Sequence, residues 1–351
     1  MKTIFLLTGC LALGATTLNS TCAAQNPTAA IANGQVKATL YLPDAKSGYY
    51  RGTRFDWSGV VGSLEYAGHN YYGLWYSKIR PDVSDYIYEG DDIVTGPCTN
   101  MMGVPEEFTN ANHTALGWED AKVGHNFIKI GIGALRKPDD KPYSNFRLYE
   151  IANGGKWKVN ATANSVEFTQ DLIDPDSGYA YVYRKRVSLT PGKPQMVLEH
   201  SLRNTGKRTI ITSVYDHNFM SIDKQVTGPG LVIKFGFHAE MVANTEPNLL
   251  DMLKFSDNQV TPAKTFTGQD KAAALFTGFG PDAKDYDVRI EDHRTGAGVR
   301  ATGDRPLSKV ALWGIRTVIS PEPFIDMTIE PGHEFTWKIA YDYYTLPKDA
   351  N

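Results

Sequence analysis

Apolar and polar positions alternate with a period of two through much of this chain, in short runs. Residues 37–42, 59–66, 166–172, 179–189, 195–203, 207–215, 230–237, 272–276, 287–291, 298–302 and 309–315 each read this way. Side chains two apart on an extended backbone share a face, so these runs predict strands with one side buried. The last strand is the clearest. Phe335, Trp337, Ile339, Tyr341 and Tyr343 lie on one side, and Glu334, Thr336, Lys338 and Asp342 on the other. Turn residues separate the runs, as in Asp174-Pro175-Asp176-Ser177-Gly178, Pro191-Gly192-Lys193-Pro194 and Asn204-Thr205-Gly206. Gly68-His69-Asn70 predicts a hairpin into a further strand over 71–76. The best helix candidate, over 241–254, is weak. The pattern predicts an all-β fold, a large antiparallel β-sandwich. No Pro/Ser-rich segment interrupts it, so residues 36–351 are expected to form a single domain. Residues 25–35, rich in Ala, Asn and Gln, read as a short linker.

Composition narrows the class. The 351 residues are 42% hydrophobic with a formal net charge of −3, enough for one large core. No basic run interleaved with aromatics is present, which argues against a nucleic-acid partner. Lys2, the apolar stretch 4–13 and the small residues ending at Ala24 predict an export signal over residues 1–24. Secretion or a periplasmic location follows. Leu7-Thr8-Gly9-Cys10 resembles a lipoprotein processing site, so a lipid anchor is the alternative. After Ala24 no apolar run approaches the roughly 20 residues that span a bilayer. Cleavage there would leave Cys98 as the only cysteine, which excludes an internal disulfide and reads as a small packed residue.

Candidate chemistry concentrates in a few segments. In 208–219 (RTIITSVYDHNF) an alternating strand runs into Asp216-His217-Asn218-Phe219, with His217 on the face of Ile211, Ser213, Tyr215 and Phe219. A histidine at a strand end among aromatic and hydroxyl groups suits proton transfer on a sugar. It equally suits a core histidine bonded to a carbonyl. Near the C-terminus Ser320-Pro321-Glu322-Pro323-Phe324 follows a strand carrying Trp313. The flanking prolines hold Glu322 in a rigid extended piece between strands. In 49–57 (YYRGTRFDW), Arg51 and Arg54 are hydrogen-bond forks for hydroxyls or a carboxylate, or else structural partners of Asp56. Glu106 and Glu107 are adjacent in an extended segment and point opposite ways, so at most one serves a given site. They read as a solvated acidic loop. His200 alternates with Met196, Leu198 and Leu202 and reads as a core histidine. The eight histidines show no metal-ligand spacing, and no nucleophile elbow, phosphate loop or dinucleotide fingerprint occurs. No metal and no cofactor are expected.

Taken together, the two segments around His217 and Glu322 resemble the galactose mutarotase-like (aldose 1-epimerase) superfamily. There, a strand ending in an Asn-His-x-Tyr-Phe-Asn-type motif supplies the catalytic acid. A late glutamate in a Glu-Pro segment, followed by a Pro-Gly-Glu turn and a closing strand, supplies the base. The stretch 198–219, the pair Glu322-Pro323 and the turn Pro331-Gly332-His333-Glu334 have that layout. The strand, Thr-Gly turn and strand over 287–299 also match, and the resemblance covers roughly residues 180–344. Asp216 stands where the family usually has Asn, and the family's Leu-His-Gly-Gly motif is absent. Its nearest counterpart is Gly124-His125-Asn126. The resemblance implies His217 as acid and Glu322 as base. It implies Arg51, Arg54 and His125 as substrate-binding residues, and Trp313 and Asp216 beside the pair are further substrate-binding candidates.

The expected function is that of an exported carbohydrate-active protein with a mono- or oligosaccharide partner, interconverting sugar anomers by acid–base catalysis. A polysaccharide lyase or hydrolase on a similar sandwich is one alternative, and a non-catalytic glycan-binding protein is the other. Acid and base are expected about 5 to 8 Å apart, on opposite sides of one sugar ring. Trp313 or Trp57 would form a stacking wall.

Overall fold

The computed structural model describes residues 26–244 and 249–347. The export signal read over residues 1–24 lies outside them. The protein is an antiparallel β-sandwich. A ten-stranded sheet runs in the order Lys156–Ala161, Ser165–Asp174, Tyr179–Leu189, Gln195–Asn204, Glu334–Thr345, Ala297–Gly303, Asp287–Asp292, Leu231–Phe235, Gln259–Pro262, Leu253–Ser256. A six-stranded sheet runs Glu240–Asn244, Lys271–Thr277, Lys309–Ile315, Val318–Ile329, Ile210–Asp216, Glu106–Thr109. Among the described strands every pairing is antiparallel except the short contact of Lys78–Ile79 with Asp92–Thr95.

Alternation does what the sequence pattern says. In the Gln195–Asn204 strand, Met196, Leu198, His200 and Leu202 are buried. They stand in register with Tyr341, Ile339, Trp337 and Phe335 of the closing strand. This inner face meets the inner face of the six-stranded sheet and forms the main core. A second apolar cluster includes Tyr50, Phe55, Trp57, Trp75, Trp118 and Tyr149. It joins the six-stranded sheet through Phe219, Ile315 and Val318. The segments before residue 150 therefore cover one end of that sheet's outer face.

Four local expectations differ from the structure. The supposed linker contains a strand, Thr28–Ala32, paired with Val36–Tyr41. Its small residues suit a short edge strand, and Ile31, with Ala29 packed beside it, anchors it in the core. No strand forms over 71–76; the pairing stops at His69–Asn70. Tyr71 and Tyr72 turn into the core instead, with the Tyr72 and Tyr343 hydroxyls 3.0 Å apart. The 241–254 helix is replaced by strand Glu240–Asn244, a single turn Leu249–Met252 and strand Leu253–Ser256, with 245–248 outside the described residues. Glu106 and Glu107 are not solvated. They begin the buried strand Glu106–Thr109, where each finds a cationic partner.

Candidate active site

The two outer-face elements that meet here are the Ile210–Asp216 and Val318–Ile329 strands, paired from Ile210↔Ile329 to Tyr215↔Phe324. Past Asp216 the first strand continues as an extended segment. The His217 N–H donates to the Pro105 carbonyl, and the Phe219 N–H donates to that of Gly103, each at 2.9 Å. Gly103 makes this approach feasible. It has φ of +79°, and a Cβ there would lie 2.5 Å from the Val61 carbonyl oxygen. The His217 ring stacks on Phe219 with centroids 3.9 Å apart, and meets Phe55 and Trp313 edge-on at 5.7 and 5.6 Å.

Glu322 does not sit between strands, as the two prolines suggested. It lies within the Val318–Ile329 strand, opposite Ala311. The Pro321 carbonyl accepts from the Asn218 side-chain amide at 2.8 Å, so a side chain joins the segments where proline cannot donate. Glu322 Oε1 is 3.1 Å from His217 Nε2. The Ser320 hydroxyl, on the same face two residues earlier, is 2.7 Å from His217 Nδ1. Acid and base candidates thus touch, closer than the 5 to 8 Å expected. The expectation put them across a sugar ring. The two oxygens that exchange protons in ring opening share one carbon, so adjacent groups reach both.

A cavity of about 300 Å³ opens over the pair. Ala273 and Ala311 alternate with Trp313 on this face, and their small side chains leave the space. Arg54 forms part of the wall. Its Nε donates to Glu107 Oε2 at 2.7 Å, and the Tyr215 hydroxyl donates to the same oxygen at 2.6 Å. Lys129 holds the other oxygen of Glu107 at 3.1 Å. Burial pushes the Glu107 carboxyl up, but Arg54 and Lys129 outweigh it and bring it down to about 2. Glu107 is therefore a fixed anion that aims Arg54. Glu322 goes the other way. Burial raises it to about 8 against the smaller opposing effect of Arg54. Burial, with Arg54 next, lowers His217 well below its usual range. At neutral pH the pair carries one proton and no net charge.

The other candidates separate. Trp313 lines the cavity and Arg54 reaches it. Arg51 does not: it is exposed, donates to the Lys46 and Gly48 carbonyls, and lines a different depression together with Trp57. The reason is local, since residues three apart in an irregular segment need not share a direction. His125 is also elsewhere: it is exposed, 2.7 Å from Asp176, and lines a separate depression. Asp216 faces inward, away from the cavity, because strand alternation sends it opposite to Tyr215 and His217. Tyr341 of the large sheet lies 2.6 Å from it. Neither arginine pairs with Asp56, which is bound by Ser58 and Tyr183 in the core. Sequence reasoning missed Asp85, Thr99, Phe146 and Lys271 in the cavity wall. They come from separate loops and a strand start, with no spacing to link them. Cys98 is buried and unpaired. Among the described residues no group of three or more His, Cys, Asp or Glu side chains is arranged for a metal.

No protein-family model matches the sequence, and no functionally curated protein matches it. Solved structures do match. A galactose mutarotase-like protein from Lactobacillus casei aligns over 91% of this chain and 100% of its own, at 11% identity and a TM-score of 0.52. A galactose mutarotase related enzyme from Lactobacillus acidophilus aligns over 92% and 99%, at 11% identity and 0.52. The GalM/aldose epimerase homologue from C. elegans aligns over 92% and 99%, at 13% identity and 0.52. The chain has the galactose mutarotase-like fold. The likeness extends over nearly the whole chain, including the early segments that roof the cavity, whereas the sequence resemblance began near residue 180.

Proposed function

We propose that this protein is an exported, carbohydrate-active enzyme that interconverts the anomers of a free sugar at the His217–Glu322 pair. The observation that carries the reading is the contact at 3.1 Å between two buried groups of opposite titration type, in a cavity sized for one ring and walled by Phe219 and Trp313. Anomer exchange begins when the hydroxyl on the anomeric carbon loses its proton. The C–O bond to the ring oxygen breaks, and that oxygen takes a proton. Rotation about the adjacent C–C bond and closure by the reverse steps give the other anomer. One proton enters the pair and one leaves it, so a pair holding a single proton has the required inventory. Moving that proton to the imidazole gives the form in which Glu322 is base and His217 acid. Ser320 and Phe219 orient the ring.

The proton count sets a pH profile. The one-proton pair persists until it is deprotonated near pH 8, the value to which burial brings Glu322. Turnover should be flat around neutrality and fall above about pH 8; a rate that keeps climbing through pH 9 would mean that a free carboxylate is the only requirement. The direct test is anomer exchange followed by NMR across pentoses, hexoses and uronic acids. No acceleration for any of them overturns the reading. The export signal read at residues 1–24 supports a periplasmic or cell-surface location, and among the described residues no helix is long and apolar enough to cross a membrane.

A further inference from the structure

A depression larger than the one over His217 lies elsewhere among the described residues. It has a volume of about 1000 Å³, against about 300 Å³ for the catalytic cavity. The two flank one loop: Thr99 lines the smaller, while Pro97 and Asn100 line the larger. Arg54 and Arg51 divide in the same way. The larger trough has aromatic walls from Tyr49, Tyr149 and Trp157. Tyr49 is backed by Tyr41, stacked at 4.3 Å, so its ring has a fixed plane. Leu148 and Ile79 are among the exposed large apolar residues of the protein, at 54% and 46%, and both lie on this trough.

Polar groups are sparse but placed. Arg51 is exposed at the trough, anchored by two backbone carbonyls. Asn100 is only 5% exposed, yet its side-chain oxygen has no hydrogen-bond partner. The Trp157 indole N–H, likewise buried, has none either. A buried polar atom left unpaired costs about 1–3 kcal/mol, so each would gain from a side-chain turn that presents it to a hydroxyl-bearing ligand in the trough. Flat aromatic surface with a few fixed polar groups is the chemistry that recognises pyranose rings, whose faces are C–H and whose rims are hydroxyl.

We infer that this trough is a second saccharide-binding site, holding several linked sugar residues of an oligosaccharide. It needs the carbohydrate reading given above but not the catalytic one, because nothing in it touches His217 or Glu322.

The test is calorimetric titration of the intact protein with neutral and uronate hexasaccharides (gluco-, xylo-, manno-, galacturono- and mannuronohexaose) and with the corresponding monosaccharides. At least one hexasaccharide should bind about tenfold or more tightly than its monosaccharide. Arg51→Ala and Leu148→Ala, both at exposed positions where folding is not at stake, should each weaken that binding several-fold. Trp157→Ala should weaken it most. Glu322→Gln should leave it unchanged, so a protein inactive on free sugars but binding hexasaccharide would sink the catalytic reading and leave this one standing. If no hexasaccharide binds with Kd below about 1 mM, or if binding survives all three trough substitutions, the trough is not a saccharide site.

Discussion

Glu106 and Glu107 are neighbours in one strand, both are buried, and they serve two different clusters. Glu107 points to the outer face of the sheet, where Arg54, Lys129 and Tyr215 bind it and Arg54 reaches the cavity wall. Glu106 faces the sandwich interior, where Lys185 pairs with it and His200 Nε2 lies 2.6 Å away. The partner strand splits in the same place. Tyr215 pairs in register with Glu107 and points outward, while Asp216 pairs with Glu106 and points inward. Each cluster thus has its own glutamate, histidine, lysine and tyrosine, on opposite faces of one sheet. The interior cluster is closed. His200 stacks on Trp337 at 4.5 Å, and Lys185 is also bonded to the Ser58 carbonyl at 3.0 Å. The outer cluster opens on a cavity. The same residue types become scaffold on one side and candidate chemistry on the other, and the difference is access.

The comparison breaks most sharply on activity. Glu322→Gln removes the carboxylate and keeps its shape, and His217→Asn removes the titrating ring. General acid–base roles contribute about 10²- to 10⁴-fold, so each variant should lose that order of anomer exchange while remaining folded. The double variant should lose little more than the worse single one, because both groups serve one transition state. His200→Asn should show the reverse: a lower melting temperature with turnover per folded molecule retained. If His200 proves essential in a stable protein and His217 dispensable, the assignment of the two faces is inverted.

Stability separates the clusters next. Burial works against the Lys185 charge, but Glu106 and Asp56 outweigh it and hold the ammonium protonated. Lys185→Met strands Glu106 without its cation in the buried interior. Breaking a buried pair in this way costs about 3–5 kcal/mol, measurable by urea denaturation. An unfolding midpoint unchanged from the wild type would mean that the interior cluster is hydrated.

How much of this was legible in the sequence follows from the same geometry. Period-two alternation is a local property, so the sandwich, most strand positions and the inward direction of His200 could be read directly. The outward set Tyr215, His217 and Phe219 came from the same rule. Applied one residue earlier, the rule also turns Asp216 inward, and only its place beside His217 suggested otherwise. What alternation cannot supply is which distant segments roof a cavity. Asp85, Thr99 and Phe146 arrive from loops, and Arg54 is selected over Arg51 by contact with Glu107, 53 positions away. Glu106 and Glu107 looked solvated because their cations, Lys185, Lys129 and Arg54, are remote in sequence. Ion-pair partners 22 to 79 residues apart leave no spacing to read.

A smaller effect concerns the cost of keeping Glu322 buried. Its carboxyl sits at about 8 in the folded protein against 4.5 ordinarily. A group raised on folding stabilises fully below its unfolded value, and that contribution is lost as pH rises through the folded value. Wild type should therefore lose stability relative to Glu322→Gln between about pH 4.5 and 8, with a roughly constant gap above. A gain of about 1–3 kcal/mol for Glu322→Gln at pH 8 is expected, the range for a buried polar group left poorly satisfied. Paired with its loss of activity, this marks the outer cluster as tuned for chemistry at the expense of stability. Melting curves of both proteins at pH 5 and pH 8 measure the gap. Parallel curves would mean that Glu322 keeps an ordinary carboxyl.

The smallest expected difference compares two hydroxyls. Tyr341 lies 2.6 Å from Asp216 Oδ2 and 2.8 Å from the Asn218 side-chain oxygen. One hydroxyl hydrogen cannot serve both. Burial, with Glu106 next, raises the Asp216 carboxyl well above its usual range, which favours a relay in which Asp216 donates to Tyr341 and Tyr341 donates to Asn218. Tyr341→Phe breaks that relay and leaves Asp216 without any partner, since its other oxygen already lacks one. Tyr215→Phe removes one of three partners from Glu107, and Arg54 and Lys129 remain. The first should cost about 1–3 kcal/mol and the second about 0.5–1.5 kcal/mol. Tyr215→Phe should nevertheless be the one that alters turnover, by less than tenfold, because it loosens the Glu107 anchor that aims Arg54 at the cavity. Equal stability losses would show that Asp216 is ionised and paired some other way. A larger turnover effect from Tyr341 than from Tyr215 would show that the sheet does not insulate one face from the other.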